Sequence, residues 1–348
     1  MGRTCGTAYD WLIVTPVTVR VPAKVNLQLS VGPRRDDGYH DLITVFHAVS
    51  LFDEVSVRPA ERTSVRVTGQ DAASIPSSRA NLAARAARAL AASLRRREKS
   101  AVQIEIRKRI PVSAGLAGGS ADAAAALVAC NELWGAGLSQ AELREVGAGV
   151  GSDVPFALLG GTAVGQGRGE RLTPALATGT YHWVLAFASG GLSTPEVYAA
   201  CDRLREARAG AVEVPAGVTA GAARAAGTVA GAGTSAGPEA PNPTLSTELM
   251  AALRSGDPAA VGPLLSNDLQ AAAVSLRPDL RRALTEGLEL GALGAIVSGS
   301  GPTCAFLAAN ARHARELAVG LTSAGVCRGA VRVQGPAGGA AIIAADRA

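Results

Sequence analysis

The sequence predicts an α+β protein of two domains. Strand patterning of period two and alanine-rich amphipathic helices occur in both halves, and they mix without strict βαβ alternation. The 348 residues, 48% of them hydrophobic, suffice for a core in each half.

Residues 17–31 alternate, with Val17, Val19, Val21, Ala23, Val25, Leu27, Leu29 and Val31 on one parity and Lys24, Asn26 and Gln28 on the other. Side chains two apart share a strand face, so Lys24 and Asn26 project together, and Pro22 marks a break or an edge. RRDDGYH reads as a turn, after which Ile43, Val45, Val49 and Leu51 continue the alternation. From Asn81, Leu82, Ala86, Leu90 and Leu94 fall four apart and predict a helix. In VQIEIRKRI, Val102, Ile104, Ile106 and Ile110 share a parity that also carries Lys108. Lys108 is read either as a strand-end residue snorkelling to water or as a cation aimed into a ligand cleft.

GLAGGSADA then joins this strand to an alanine-rich helix reaching about Trp134, stopped by Gly135 and Gly137. Ser139 with Glu142 forms a capping box for the next helix, and GAGVGSDVPF makes a tight loop in front of Asp153. TAVGQGRGE and YHWVLAFA read as strands, and Thr194 with Pro195 opens a helix to about Arg208. Residues 209–241, almost wholly Ala, Gly, Val, Thr and Pro, are expected to be a flexible insertion. Helices at Leu245–Leu253 and Asp279–Leu290 follow, then strands at Gly294–Val297 and Thr303–Leu307 around SGSGP. The glycine clusters GQGRG and GSG are expected to be strand turns.

Composition narrows the function. No stretch approaches the roughly 20 apolar residues of a membrane span, and the N-terminal segment lacks the apolar region of a signal peptide, so the cytoplasm is the expected compartment. Cys5, Cys130, Cys201, Cys304 and Cys327 are scattered without metal-ligand spacing and read as core or inert thiols. A net charge of +5 admits an anionic ligand without demanding nucleic acid. The lysines are only Lys24, Lys99 and Lys108, so a Lys in a patterned segment hints at a site that needs a compact ammonium.

Glycine lets backbone approach a ligand closely, and unpaired amides at a helix start bind phosphate. GLAGGSADA therefore reads as a phosphate loop, to which the Ser120 hydroxyl adds a donor; it lacks the Gly-Lys-Ser/Thr of a Walker A loop. Phosphoryl transfer also needs charge neutralisation and an acceptor for the nucleophile's proton, which Lys24 and Asp153 can supply. The competing reading makes Asp153 a helix cap before Val154 and Pro155.

PAKVNLQLSVGPRRDDGYHDL, IPVSAGLAGGSADAA, GSDVPFALLGGTAVGQGRGE and SGSGP occur in the order and spacing of the GHMP kinase superfamily, over residues 17–345 apart from the insertion. The first motif resembles the branch with a cytidine-bearing substrate. The resemblance implies a ribosomal protein S5 domain 2-like N-terminal domain (17–178) and a ferredoxin-like C-terminal domain (179–346), with the active site in the cleft between them. It implies ATP as co-substrate with Mg²⁺, and a small cytidine-diphosphate substrate phosphorylated on the 2-hydroxyl of its methylerythritol unit. Neither nucleic acid nor membrane is an expected partner, and the sequence assigns neither metal ligands nor an oligomeric state.

Carried onto this chain, Lys24 and Asp153 resemble the catalytic pair. Pro111, Val112, Ser113, Ala114, Gly115, Leu116, Ala117, Gly118, Gly119, Ser120 and Ala121 resemble the phosphate loop, and Asn81 and Lys108 are placed near adenine. Asn26, Tyr39 and His40 resemble substrate contacts, with Tyr39 packing near cytosine and His40 bonding its edge. Ala117 and Ala121 stand where glycine and serine are common, so one hydroxyl contact to phosphate is expected to be missing. The alternatives are a kinase of the same superfamily acting on homoserine, mevalonate or a sugar, a noncatalytic nucleotide sensor, and an RNA-binding protein. Lys24 with Asp153 argues against the sensor, and an aromatic content of 3% argues against RNA.

Overall fold

A computed structural model describes residues 15–96, 100–212 and 242–343. Cys5, Lys99 and most of the expected insertion lie outside the described residues.

The first half opens with two long strands, β1 (Val17–Arg34) and β2 (His40–Pro59), antiparallel around the expected turn. Pro22 sits at a register shift beside Ala23, where β1 has left its other neighbour and needs no amide for a ladder. β3 (Ser64–Gly69) runs parallel to β4 (Val102–Lys108), connected through α1 (Leu82–Ser93). α2 (Gly118–Leu133) packs on α1 and across β1 and β2, because Ala123, Ala124, Ala125 and Ala126 let backbones approach closely. α3 (Gln140–Ala148) begins at the predicted Ser139–Glu142 capping box, and α4 (Val154–Leu159) follows. β5 (Thr162–Gly167) pairs with β2 and with β6 (Arg171–Pro174).

The second half is built on a four-stranded antiparallel sheet of β7 (Tyr181–Phe187), β9 (Gly294–Val297), β10 (Cys304–Ala308) and β11 (Gly329–Gly335), in the order β11-β7-β10-β9. In chain order that is 4-1-3-2, the ferredoxin-like arrangement expected. Helices α5 (Thr194–Val212), α6 (Thr247–Ser255), α7 (Pro258–Val261), α8 (Gln270–Leu276), α9 (Asp279–Glu289) and α10 (Ala311–Ser323) accompany it. α5 runs past the expected Arg208.

The second half also returns strands to the first sheet. β8 (Ser266–Asn267) pairs parallel with β1 at Gln28 and Leu29, and β12 (Ala341–Ile343) pairs antiparallel with Thr18–Arg20. These returns hold the halves together on both sides of the polar stretch of β1, so both faces of Val21–Leu29 are buried. Cys130 and Cys304 are core thiols, each pushed by burial up to about 12.

Candidate active site

The halves enclose a cavity of about 610 Å³. β1 sends Lys24 and Asn26 into it, β2 sends Thr44 and Phe46, and the α3–α4 loop sends Ser152 and Asp153. Leu192, Thr194, Tyr198, Gly299 and Ser300 close it from the second half.

Lys24 and Asp153, 129 positions apart, meet here with Nζ and Oδ2 separated by 3.9 Å. Asp153 occupies the N-cap position of α4 without accepting a capping bond, so its carboxylate is not spent on the helix. Burial lowers the Lys24 pKa from the usual lysine value, partly offset by the Asp153 charge. Its ammonium donates to Asn26 Oδ1 at 2.7 Å and lies 5.6 Å from the Phe46 ring centre. Asn26 Nδ2 donates to Thr44 Oγ1 at 2.8 Å, and Thr44 donates to the Gln28 carbonyl at 2.7 Å. Asn26, expected to touch substrate, thus has both amide atoms engaged in aiming Lys24.

Residues 111–120 line the cavity with the exception of Leu116, whose side chain joins the core while its carbonyl accepts from the Lys24 amide at 3.3 Å. Ala121 is likewise in the core, 1% exposed and off the cavity wall. Ala117 caps α2 at φ 59 with no side-chain capping bond, which leaves the first amides of the helix for a ligand. The left-handed conformation accounts for the usual preference for glycine there, and alanine holds it at a cost of about 1–2 kcal/mol. The loop is clamped from the second half: Ser298 Oγ donates to the Gly115 carbonyl at 3.1 Å, and a methyl on Gly299 would come within 3.1 Å of Lys24 Nζ. SGSGP is therefore a wall of the site, and GQGRG, at the β5–β6 turn, also reaches the cavity through Arg168.

Asn81 and Lys108 line the cavity with their polar atoms largely committed. Asn81 Oδ1 caps α1 at Ala83 N, 2.9 Å, and Nδ2 donates to the Pro76 carbonyl at 2.9 Å. Lys108 neither snorkels nor reaches freely into the cleft, because its ammonium donates to Asp53 and, at 2.8 Å, to Asp122. Tyr39 and His40 do not line the cavity. Tyr39 is exposed at the turn, with the Arg168 guanidinium 5.3 Å from its ring. His40 is buried, with Nε2 2.9 Å from Asp202 Oδ1 and its ring 5.1 Å from that of Tyr198. Both reach the cavity only through a neighbour, Arg168 or Tyr198, that does line it.

Sequence reasoning missed Asp53, Asp122, Thr44, Arg168 and Tyr198. Two carried a signal: Asp53 lies on the apolar parity of β2, and Asp122 is a lone acid in an alanine run. Tyr198 and Arg168 had none: Tyr198 comes from α5 of the second half, and Arg168 from the turn between β5 and β6.

A glycine loop at a helix start, beside a Lys–Asp pair in a cleft that the second half closes, defines a small-molecule phosphotransferase. The GHMP kinase N-terminal domain matches residues 81–161 and the GHMP kinase C-terminal domain matches 249–327. The chain belongs to the GHMP kinases. It is 52% identical to a 4-diphosphocytidyl-2-C-methyl-D-erythritol kinase of Mycolicibacterium smegmatis, over 98% of this chain and 97% of that one. It is 49% identical to the enzyme of that name from Thermobifida fusca, over 94% and 99% respectively. A crystal structure of 4-(cytidine 5'-diphospho)-2C-methyl-D-erythritol kinase superposes with a TM-score of 0.68 at 32% identity, covering 92% of this chain and all of the other. A homoserine kinase from Cytophaga hutchinsonii shares the fold, with a TM-score of 0.67 at 19% identity.

Proposed function

We propose that this chain transfers the γ-phosphate of ATP to the 2-hydroxyl of 4-diphosphocytidyl-2-C-methyl-D-erythritol, giving the 2-phosphate and ADP, a step in the non-mevalonate route to isoprenoid precursors. The observation that carries the reading is the Lys24–Asp153 pair, 3.9 Å apart in a cavity walled by the phosphate loop.

Asp153 is the general base. It takes the proton of the 2-hydroxyl as that oxygen attacks the γ-phosphorus, and the bond to the bridging oxygen breaks to release ADP. Lys24 holds the Asp153 carboxylate in place and stabilises the alkoxide that develops, while Asn26 and Thr44 fix the ammonium's direction. The loop 111–121 holds the triphosphate, chiefly through the free amides of Gly118, Gly119 and Ser120 at the start of α2, with Asn81 towards the purine and Lys108 acting from beneath the loop. Tyr39 and His40 serve the cytidine end, beside Arg168 and Tyr198. Mg²⁺ supplied with ATP would neutralise phosphate charge at the loop. We assign the enzyme to the cytoplasm, in keeping with the lack of any described helix long and apolar enough to cross a membrane.

ADP release from ATP with 4-diphosphocytidyl-2-C-methyl-D-erythritol, and phosphorus NMR of the product, test the substrate. Turnover of homoserine, mevalonate or a sugar in its place would transfer the reading to another branch. Asp153→Asn should keep ATP binding and lose about 10²–10⁴ in turnover; near-normal turnover would remove Asp153 from the role of base.

A further inference from the structure

We propose that Asp122 is a positioning residue for the phosphoryl donor: acting through Lys108, and by holding or releasing one proton, it sets the charge beneath the phosphate loop and with it the affinity for the triphosphate. The proposal rests on the reading of 111–121 as the ATP site.

Three ionisable side chains meet under that loop, each nearly inaccessible to water. Asp53, on β2, has its carboxylate saturated: Oδ1 accepts from the amides of Arg109 at 2.6 Å and Ile110 at 2.9 Å, and Oδ2 accepts from Lys108 Nζ. Three N–H donors therefore converge on this one carboxylate. Asp122, in the first turns of α2, is treated differently. Its Oδ2 accepts from Lys108 Nζ at 2.8 Å, whereas Oδ1 is buried without a partner. With one oxygen buried and unpaired, the carboxylate gains from taking up a proton, since protonation removes a buried charge.

The electrostatics run the same way. Burial raises Asp122 to about 8, and the Asp53 charge adds to that rise against the opposing pull of Lys108. Lys108 stays cationic, because Asp122 and Asp53 outweigh the effect of its burial and raise it. Lys108 from β4 and Asp53 from β2 are the ionisable groups that act on Asp122. The neighbouring helix α1 contributes apolar side chains, among them Ala83, Ala86 and Leu90, to the core it shares with α2.

Position makes this charge matter to a nucleotide. Lys108 and Asp122 both line the cavity, and a methyl on Gly118 would stand 3.1 Å from Lys108 Nζ. The cluster thus lies one backbone layer below the amides that receive phosphate. With the proton on Asp122 its net charge is zero; with the proton released it is negative and repels a triphosphate. By linkage, triphosphate binding favours the protonated form and draws a proton from solvent when the pH is near or above 8.

Titration calorimetry of the full chain with Mg²⁺ and the β,γ-imido analogue of ATP, between pH 7 and pH 9.5 in buffers of different ionisation enthalpy, measures both affinity and protons taken up. We expect Kd to rise about tenfold across this range, with fractional proton uptake on binding. Asp122→Asn, whose amide stands in for the neutral acid, should bind with wild-type affinity at pH 7 and show neither slope nor uptake. An Asn variant that retains both would place the proton elsewhere and overturn the proposal. A wild-type protein that binds without proton uptake would overturn it with no variant needed. Failure of the wild-type protein to bind the analogue at any pH would instead sink the ATP-site reading, and the proposal with it.

Discussion

Replacing Lys24 by methionine removes one buried positive charge while nearly preserving the length of the side chain. At 3.9 Å from Asp153 the charge pair is worth about 4 kcal/mol at an effective dielectric constant of 20. The Asp153 side chain is 28% exposed, so solvent screening reduces this to about 3 kcal/mol, or roughly 10² in rate. The variant also leaves Asn26 Oδ1 without its donor, which loosens a site already ordered for the reaction. ADP release under saturating ATP and acceptor should therefore fall by about 10²–10³, with KM for ATP changed by less than about threefold. The pH profile gives a second readout. Burial holds the Lys24 pKa below the usual 10.5, so activity that needs the ammonium declines as pH rises through that lowered value. Lys24→Met should lack this alkaline limb in kcat, while the Asp122 effect, which acts on nucleotide affinity, persists. Turnover within threefold of wild type, or a variant that loses only affinity for ATP, would refute the catalytic role of Lys24.

Two further expectations concern the framework. Gly115 has φ +76, and a methyl there would lie 2.0 Å from the Ser298 carbonyl oxygen and 2.9 Å from the Gly301 amide; Gly115→Ala combines about 1–2 kcal/mol of backbone strain with a forced separation of the two loops. It should lower kcat and raise KM for ATP, together by at least about tenfold in kcat/KM, and unchanged kinetics would mean that the clamp on the loop is dispensable. His47 on β2 is buried, with Nδ1 2.8 Å from Thr162 Oγ1, and burial lowers its pKa from 6.5 to about 3. The folded form therefore binds fewer protons than the unfolded chain below pH 6.5, and stability falls as pH drops from there towards 3, by about 1.4 kcal/mol per pH unit from this group. Urea unfolding of wild type and His47→Gln between pH 7 and pH 5 should show a shallower slope in the variant; equal slopes would exclude His47 as a source of acid sensitivity.

Much of this molecule is written in local pattern. Alternation along Val17–Val31, the four-residue spacing from Leu82, and the Ser139–Glu142 box each report a backbone state fixed by nearest neighbours, and each recurs in the structure. The glycine loop is legible for the same reason, since GLAGGSADA constrains its own backbone and leaves its own amides free. Lys108 shows where local pattern stops: its parity placed it inside, but whether it snorkels or turns inward depends on Asp53, 55 positions away, and on Asp122. Asn26 lines the cavity as expected of a substrate contact, but its bonds to Lys24 and Thr44, which also aim the ammonium, could not be read from the strand pattern. Tyr198 and Arg168 enter the site from elements whose own sequence gives no hint of it. The sequence by itself determined the strands, helices, phosphate loop and the identity of the reactive residue types, because those follow from interactions a few residues long. The meeting of Lys24 with Asp153, and the burial that perturbs Lys24 and Asp122, were decided only when α2 and α4 packed on β1 and β2, because charge interactions act through space and depend on how much water the fold excludes.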